Sequence, residues 1–309
     1  MTHADDHPDK LKADLRKWVL QHEDQGLDWF LDEGPVAETV QTVDHPVETT
    51  TEQEEPAEQP VAKSSPSTTM PPAPKPAPAI TDPVFKQECE RFVETTLRLI
   101  AEQPAPLDSG DILLDQFNAD SNQALAALRD EVQPCQACGL AKSRTQVVFG
   151  AGSAQARVLF IGEAPGREED LQGEPFVGAS GKLLTKIIEA IGFDRNHIFI
   201  CNILKCRPPG NRDPLLEEVE ACEPYLKRQL AIIRPRIICC LGRVAAQTLL
   251  NTDLSLGKLR RGVHFYEGIP VMATYHPAAL LRKPAWKRDT WNDVQRLRAL
   301  HDALESGDN

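Results

Sequence analysis

Four short aliphatic runs that alternate with helical patterns constrain the fold of this chain more than any other feature. The runs are Val158–Ile161, Ile198–Ile203, Ile237–Leu241 and Ile269–Ala273. Each run is mostly aliphatic rather than alternating with polar residues, which is typical of parallel strands covered on both faces. Amphipathic helical patterns separate the runs and follow the last one, at Gly181–Ile191, Pro214–Ile233, Arg243–Leu250 and Asp289–Leu304. The alternation predicts a three-layer α/β/α fold with a central, mainly parallel four-stranded sheet and right-handed crossovers.

The chain before these strands differs in composition and charge. Residues 1–134 carry a net charge of −17 and residues 135–309 one of +5, which permits a nucleic-acid partner for the second part without requiring one. The middle of the first part is rich in Pro, Glu, Thr and Ala, and it has too little apolar surface to offset its ordering entropy. We predict an N-terminal segment 1–33, a disordered linker 34–83, a helical extension 84–120 and a globular domain 121–309.

Two helices are predicted between the linker and the first strand. Pro83–Gln103 has an apolar face that includes Phe85 and Phe92, and this pattern puts Cys89 on the outer face or its edge. Ser121–Val132 begins with a capping residue and turns its leucines inward. The sequence does not indicate whether the first helix packs on the globular domain.

The hexapeptide Gln25–Phe30, QGLDWF, stands apart within the N-terminal segment. It resembles the linear motif by which bacterial repair and replication proteins dock on the sliding clamp, although Trp29 replaces the commoner leucine. The alternative is a helix end that packs locally.

The loop after the first run is too rich in special residues to be a simple connector. Gly162–Leu184 reads GEAPGREEDLQGEPFVGASGKLL, with glycines, prolines, several acids and one phenylalanine. Open α/β sheets place their ligand sites in loops at the carboxyl ends of strands. We therefore expect a wall of an active site here.

Further motifs follow in order along the domain. They are GEAPGREED (162–170), QGEPFVG (172–178), NILKCRPPGNRDP (202–214), CLGRVAAQ (240–247) and TYHPAALLR (274–282). This set resembles the motifs of family 4 uracil-DNA glycosylases, the iron–sulfur-containing bacterial and archaeal branch, over about 125–297. The resemblance implies a monofunctional DNA-repair glycosylase that removes uracil from DNA and leaves an abasic site. We also expect a monomer in the cytoplasm, associated with the nucleoid.

An enzyme that acts on a base in DNA must take that base out of the stack. Phe176 is then a candidate platform for the flipped base. Asn202 offers both a donor and an acceptor, so it can bond an N–H and a carbonyl together. His276 can donate to a carbonyl oxygen that becomes negative as the glycosidic bond breaks. Taken singly, Phe176 also fits simple packing, Asn202 a helix cap and His276 a polar group satisfied within the fold.

Acids in the first motif are candidates for the groups that act on the attacking water and on the sugar. Glu163 can orient a water molecule or oppose a cationic sugar, and the resemblance favours Glu169 as a second catalytic acid. A run of acids at a helix start also fits stabilisation of the helix dipole. Gly162 and Ala164 are expected to lie against the substrate. Ala164 stands where another branch carries an aspartate that positions the attacking water, so that group is unassigned and a dissociative reaction is expected.

Four of the eight cysteines have the spacing of a metal site: Cys135, Cys138, Cys206 and Cys222. Spacing alone fits zinc or an iron–sulfur cluster. The resemblance implies a structural 4Fe-4S cluster held by these four thiolates. Cys201, Cys239 and Cys240 lie in strand-like runs and are expected in the core.

The segment Leu280–Lys287, LLRKPAWK, resembles the loop that wedges an apolar side chain into the duplex when a base flips. Leu280 or Leu281 would be the wedge. The phosphate contacts would come from Arg282, Lys283, Lys287 and Arg288. The alternative is a solvated basic turn.

Two other functions fit the same sequence. One is a glycosylase with a broader choice of bases, such as hypoxanthine or thymine opposite guanine. The other is an iron–sulfur DNA-binding module that works with a polymerase and has no turnover. The joint presence of Phe176, Asn202 and His276 favours an enzyme.

Overall fold

The computed structural model describes residues 79–103 and 121–306. The segment 1–33 with its hexapeptide Gln25–Phe30, nearly all of the linker 34–83 and part of the extension 84–120 lie outside the described residues. No helix in the described ranges is long and apolar enough to cross a membrane.

A six-stranded sheet forms the centre of the domain. Its strands are β1 (Ala151–Gly152), β2 (Val158–Gly162), β3 (Phe199–Asn202), β4 (Ile237–Leu241), β5 (His264–Tyr266) and β6 (Ile269–Thr274). The spatial order is β1-β3-β2-β4-β6-β5, with β3, β2, β4 and β6 parallel and the two edge strands antiparallel. The four predicted parallel strands are confirmed. The edge strands were not predicted, because two or three residues give no readable pattern.

Nine α-helices are found among the described residues. They are α1 (Pro83–Ala101), α2 (Ser121–Val132), α3 (Arg167–Gln172), α4 (Ala179–Ala190), α5 (Leu216–Ile233), α6 (Arg243–Leu250), α7 (Leu256–Leu259), α8 (Pro277–Arg282) and α9 (Lys287–Ser306). The six predicted helices are all present, with ends within two residues of the predicted ones. The short α3, α7 and α8 were not predicted, because four to six residues show no helical periodicity.

The two faces of the sheet bury separate apolar cores, which confirms the three-layer α/β/α prediction. In β2, Leu159 and Ile161 face the core under α2, α5 and α6, whereas Val158 and Phe160 face the core under α4 and α9. Alternate residues of a strand point to opposite faces, and here both faces are apolar because both are covered.

The helix α1 packs against α9. Arg296 bonds Glu88, with 3.4 Å between Nη2 and Oε2, and its guanidinium lies 5.5 Å from the ring centre of Phe85. The expectation that Cys89 lies on the outer face is wrong, since its exposed fraction is 2 %. Cys89 follows Phe85 by four residues and therefore shares its helix face, which α9 covers.

Candidate active site

The carboxyl ends of the parallel strands meet at one edge of the sheet, where β2 and β3 pair through Gly162 and Asn202. A Cβ atom on Gly162 would collide with the side-chain oxygen of Asn202 and lie 2.7 Å from Cζ of Phe176. The space between the amide and the ring therefore exists only because residue 162 has no side chain. The structure brings three of the predicted site residues together at this point.

Phe176 is held in an unusual backbone conformation, with φ of 55° and an exposed fraction of 6 %. Nη2 of Arg195 donates to the carbonyls of Pro175 at 2.6 Å and Phe176 at 3.2 Å. A Cβ on Gly181 would collide with the Phe176 carbonyl, so α4 packs directly on this turn. A non-glycine residue with positive φ is strained by about 1–3 kcal/mol, and such strain clusters at functional sites.

The amide of Asn202 is the least satisfied polar group in this region. Its residue is 1 % exposed, and neither its Oδ1 nor its Nδ2 has a hydrogen-bond partner among the described residues. A buried polar group without a partner costs about 1–3 kcal/mol. The amide could therefore both donate to and accept from a group placed beside it.

His276 is the N-cap of α8 and lies beside Phe176, with 5.5 Å between the two ring centres. Its Nδ1 accepts the backbone N–H of Ala278 at 3.1 Å, which puts the ring proton on Nε2. Burial, and then the positive charge of Arg282, lower the pKa of His276 to about 4, while Glu169 partly opposes them. The imidazole is therefore neutral at pH 7, with Nε2–H available as a donor.

Glu163 follows β2 directly and is half-buried. Burial raises the pKa of Glu163, the negative charge of Asp213 raises it further, and Arg243 opposes both. Asp213 and Arg243 form an ion pair of 3.2 Å between Oδ2 and Nη2. This carboxyl therefore faces charged groups from the loop before α5 and from the start of α6. Ala164, next along the chain, packs against the core on the α5 side.

Glu169 is buried and its carboxylate holds the loop that carries Phe176. Its Oε1 accepts the backbone N–H groups of Val177 and Gly178, both at 3.0 Å. These contacts give Glu169 a positioning role that the sequence did not indicate, while a direct catalytic role stays a prediction. The neighbouring Asp170 is likewise engaged, because its Oδ1 accepts the N–H of Thr145 at 2.9 Å.

Two predicted DNA contacts are wrong. Leu280 is completely buried in the core, so it cannot be a wedge, whereas Leu281 is 37 % exposed. Lys287 is 4 % exposed at the start of α9, so its ammonium does not face the surface for a phosphate. Arg282 and Lys283 are exposed as expected. The error at Leu280 has a simple cause, because in a helix as short as α8 the sequence does not show which of two adjacent leucines faces inward.

A stack of aromatic rings and cations links the surface rim, residues 281–288, to the end of β6 next to His276. Tyr275 and Trp286 are stacked with 4.5 Å between centres and 8° between planes. Nζ of Lys283 lies 4.7 Å from the Trp286 ring, and the guanidinium of Arg260 lies 4.2 Å from the Tyr275 ring. Such cation–π contacts contribute about 0.5–1 kcal/mol each at exposed sites. The stack fixes the loop that carries the exposed basic residues.

The four predicted ligand cysteines line one surface depression: Cys135, Cys138, Cys206 and Cys222. Three of the sulfurs accept hydrogen bonds from different donors. These are the backbone N–H of Lys205 to Cys222 at 3.3 Å, Nη1 of Arg144 to Cys206 at 3.4 Å and the hydroxyl of Tyr225 to Cys135 at 3.3 Å. In the described ranges, no group of three His, Cys, Asp or Glu side chains is arranged to hold a single metal ion.

Two arginines of these sites, Arg144 and Arg195, were not predicted from the sequence. They belong to no motif, and their partners lie far from them along the chain.

Known proteins resemble the chain over this domain. Residues 149–295 match the family model of the uracil DNA glycosylase superfamily. The type-4 uracil-DNA glycosylase of Archaeoglobus fulgidus is 47 % identical over 178 residues, which cover 55 % of this chain and 89 % of the relative. The enzyme of the same name from Saccharolobus solfataricus is 45 % identical over 184 residues, 56 % of this chain and 85 % of the relative. That of Thermotoga maritima is 38 % identical over 181 residues, 57 % of this chain and 94 % of the relative.

Proposed function

Since the chain belongs to the type-4 uracil-DNA glycosylases of the uracil DNA glycosylase superfamily, we propose that it removes uracil from DNA. In this proposal it hydrolyses the N-glycosidic bond of a flipped deoxyuridine and leaves an abasic site, the first step of a base-repair reaction. The observation that carries the proposal is the buried amide of Asn202, which has no partner for either polar atom in the described part of the chain.

The base edge of uracil supplies what this amide lacks. Uracil presents a ring N–H next to a carbonyl, and a side-chain amide can accept from the first while it donates to the second. Both desolvated atoms of Asn202 would then be satisfied at once, beside the ring of Phe176 that would stack on the flipped base. An apolar base edge would leave both atoms unpaired, so the site would reject it.

His276 would stabilise the departing base. As the bond between C1′ and N1 breaks, its electron pair leaves with the uracil and the charge spreads onto the carbonyl oxygens. The neutral imidazole would donate its Nε2–H to one of these oxygens, since Nδ1 is already engaged. Removal of one preorganised donor of this kind lowers a rate by about 10²–10³-fold.

Glu163 would act on the sugar side. Its half-buried carboxylate would oppose the positive charge that develops on the sugar, and a charge interaction is stronger where water is excluded. Water then adds to C1′, and the proton that it loses neutralises the uracil anion, which completes the hydrolysis. Ala164 has no group that could hold this water, so we propose a largely dissociative order, with the base leaving first.

The four-cysteine site fits a 4Fe-4S cluster. Four sulfurs surround one depression, and N–H or O–H donors point to three of them, as is common around cluster thiolates. When bound, such a cluster supplies iron–thiolate bonds that cross-link the segment after α2, the loop after β3 and α5. The role we propose for it is structural.

The rim would hold the DNA. We propose Leu281 as the wedge that fills the space left by the flipped base, with Arg282, Lys283 and Arg288 near phosphates. Leu281 follows Leu280, whose burial anchors α8, so the wedge would stand on a fixed base.

We also propose that Gln25–Phe30 docks on the sliding clamp and that the linker 34–83 lets the docked segment and the enzyme move independently. A pull-down with the clamp, with and without these six residues, tests this proposal. Equal recovery of both forms would discard it.

The activity is tested with an oligonucleotide that carries one uracil. Incubation with the purified protein followed by alkali should cut the strand at the uracil, whereas incubation without alkali should leave it intact. Scission without alkali would indicate a lyase instead of a monofunctional glycosylase. If no deaminated base gives scission, the chain is a DNA-binding module without turnover.

A further inference from the structure

Lys205 is a buried charged residue to which the proposed reaction assigns no role. Its exposed fraction is 1 %, although a lysine is almost never fully buried unless it is paired. It lies three residues after Asn202 and directly before Cys206. It therefore stands between the base-binding amide and the four-cysteine site.

The side chain and the backbone of Lys205 contact different partners. Nζ donates to the backbone carbonyl of Asn202 at 2.8 Å. The backbone N–H donates to the sulfur of Cys222 at 3.3 Å, and the backbone carbonyl accepts the N–H of Val148 at 2.8 Å. The ammonium also hydrogen-bonds the thiol of Cys201 in β3. A substitution of the side chain therefore removes its contacts to Asn202 and Cys201 and leaves the two backbone contacts in place.

The carbonyl of Asn202 matters because this residue is the last of β3. The position of the Asn202 main chain sets where its Cβ lies, and the side-chain amide itself has no hydrogen bond in the described structure to fix it. Packing against Gly162 and Phe176 limits where the amide can lie. The bond from Lys205 is the charge-assisted contact that fixes the main chain beneath it.

We propose that Lys205 is a positioning residue for base recognition: its ammonium holds the main chain of Asn202 so that the amide faces the flipped uracil. This inference rests on the proposed function. It assigns Lys205 no contact with substrate and no proton transfer.

The test uses Lys205→Met, an apolar side chain that is one atom shorter and has no donor, and Lys205→Gln, a polar variant of the same length as Met whose amide is one bond too short to reach the Asn202 carbonyl. Gln229→Met is the matched control. Gln229 is also fully buried, and its Nε2 donates to a backbone carbonyl, that of Phe149, at 2.9 Å. Three quantities are measured for each protein: the dissociation constant of free uracil, the dissociation constant of abasic-site duplex DNA, and the visible absorbance per chain.

The proposal predicts that both Lys205 variants bind free uracil at least about tenfold more weakly, as expected for loss of one charge-assisted hydrogen bond. Their affinity for abasic DNA and their absorbance should match the wild type, and Gln229→Met should bind uracil normally. If Lys205→Met does not fold, Lys205→Gln decides by the same three measurements.

Two results would overturn the proposal. One is a Lys205 variant with unchanged uracil affinity. The other is a loss of affinity that only follows a loss of absorbance, since Lys205 would then act through the cysteine site. A wild-type protein that neither binds uracil nor releases it from DNA would overturn the proposed function as well, which separates the two failures.

Discussion

Nδ1 of His276 accepts the backbone N–H of Ala278, with 3.1 Å between the two nitrogens. The bond caps α8 and fixes the tautomer of the imidazole, so one short contact serves both the fold and the proposed chemistry. Because Nδ1 is occupied as an acceptor, the proton is on Nε2, the atom that would face the base in the proposed reaction.

The imidazole of His276 should stay uncharged well below pH 7. Burial lowers the pKa of His276 to about 4, so nitrogen-edited NMR should show the neutral Nε2–H tautomer from pH 8 down to about pH 5. The unfolded chain binds this proton at a higher pH than the folded one, so His276 makes the folded state less stable as pH falls from about 6.5 towards 4. An imidazolium at pH 6, or a proton on Nδ1, would contradict this assignment.

The second prediction separates two roles of Glu169. Its Oε1 accepts two backbone N–H groups of the Phe176 loop, and a glutamine keeps an oxygen that can accept both. If the role is positioning, Glu169→Gln should retain most of the single-turnover rate, while Glu169→Ala should lose about tenfold or more. If Gln and Ala variants are equally slow, the negative charge itself is required and Glu169 acts directly in catalysis.

The third prediction compares two adjacent leucines. Leu281→Ala should leave the thermal midpoint unchanged, because the side chain is partly exposed, and should slow uracil removal more in duplex than in single-stranded DNA. Leu280→Ala should instead lower the free energy of unfolding by about 2–5 kcal/mol, because Leu280 is fully buried. An equal effect of Leu281→Ala on both DNA forms would remove it as the wedge.

The fourth prediction concerns the cysteines. Protein purified without air should be brown, and Cys206→Ala should lose visible absorbance and iron. Cys201→Ala is the matched control, because Cys201 is fully buried in β3 and belongs to the core. A colourless protein that contains zinc, or equal iron in both variants, would contradict the proposed 4Fe-4S site.

The sequence predicted the framework of the fold because long apolar runs and helical periodicity are local signals. It also predicted that Phe176, Asn202 and His276 would converge, since parallel strands bring their carboxyl ends to one edge. It failed where contacts are not local. The bond from Arg195 to the Phe176 carbonyl spans 19 residues, and nothing in the neighbourhood of Arg195 indicates it.

The sequence also did not show which side chains at the start of α9 and within α8 face the core. Leu280 and Leu281 are equally apolar, and Lys287 is as basic as Lys283, so only the burial seen in the structure shows which residue of each pair is exposed at the surface. The positioning role of Glu169 was missed for a related reason. Its partners are backbone N–H groups, which every sequence contains.

Recognition of uracil by the buried amide of Asn202 is tested most directly by the release of free uracil from DNA by the wild type and by Asn202→Leu. The wild type should release it. The leucine variant should be slower by at least about 100-fold, yet unfold at the same or a higher temperature, because the substitution removes two unsatisfied buried atoms without breaking a side-chain hydrogen bond. If the wild type releases no uracil, or if the variant releases it at the wild-type rate, this role of Asn202 is contradicted.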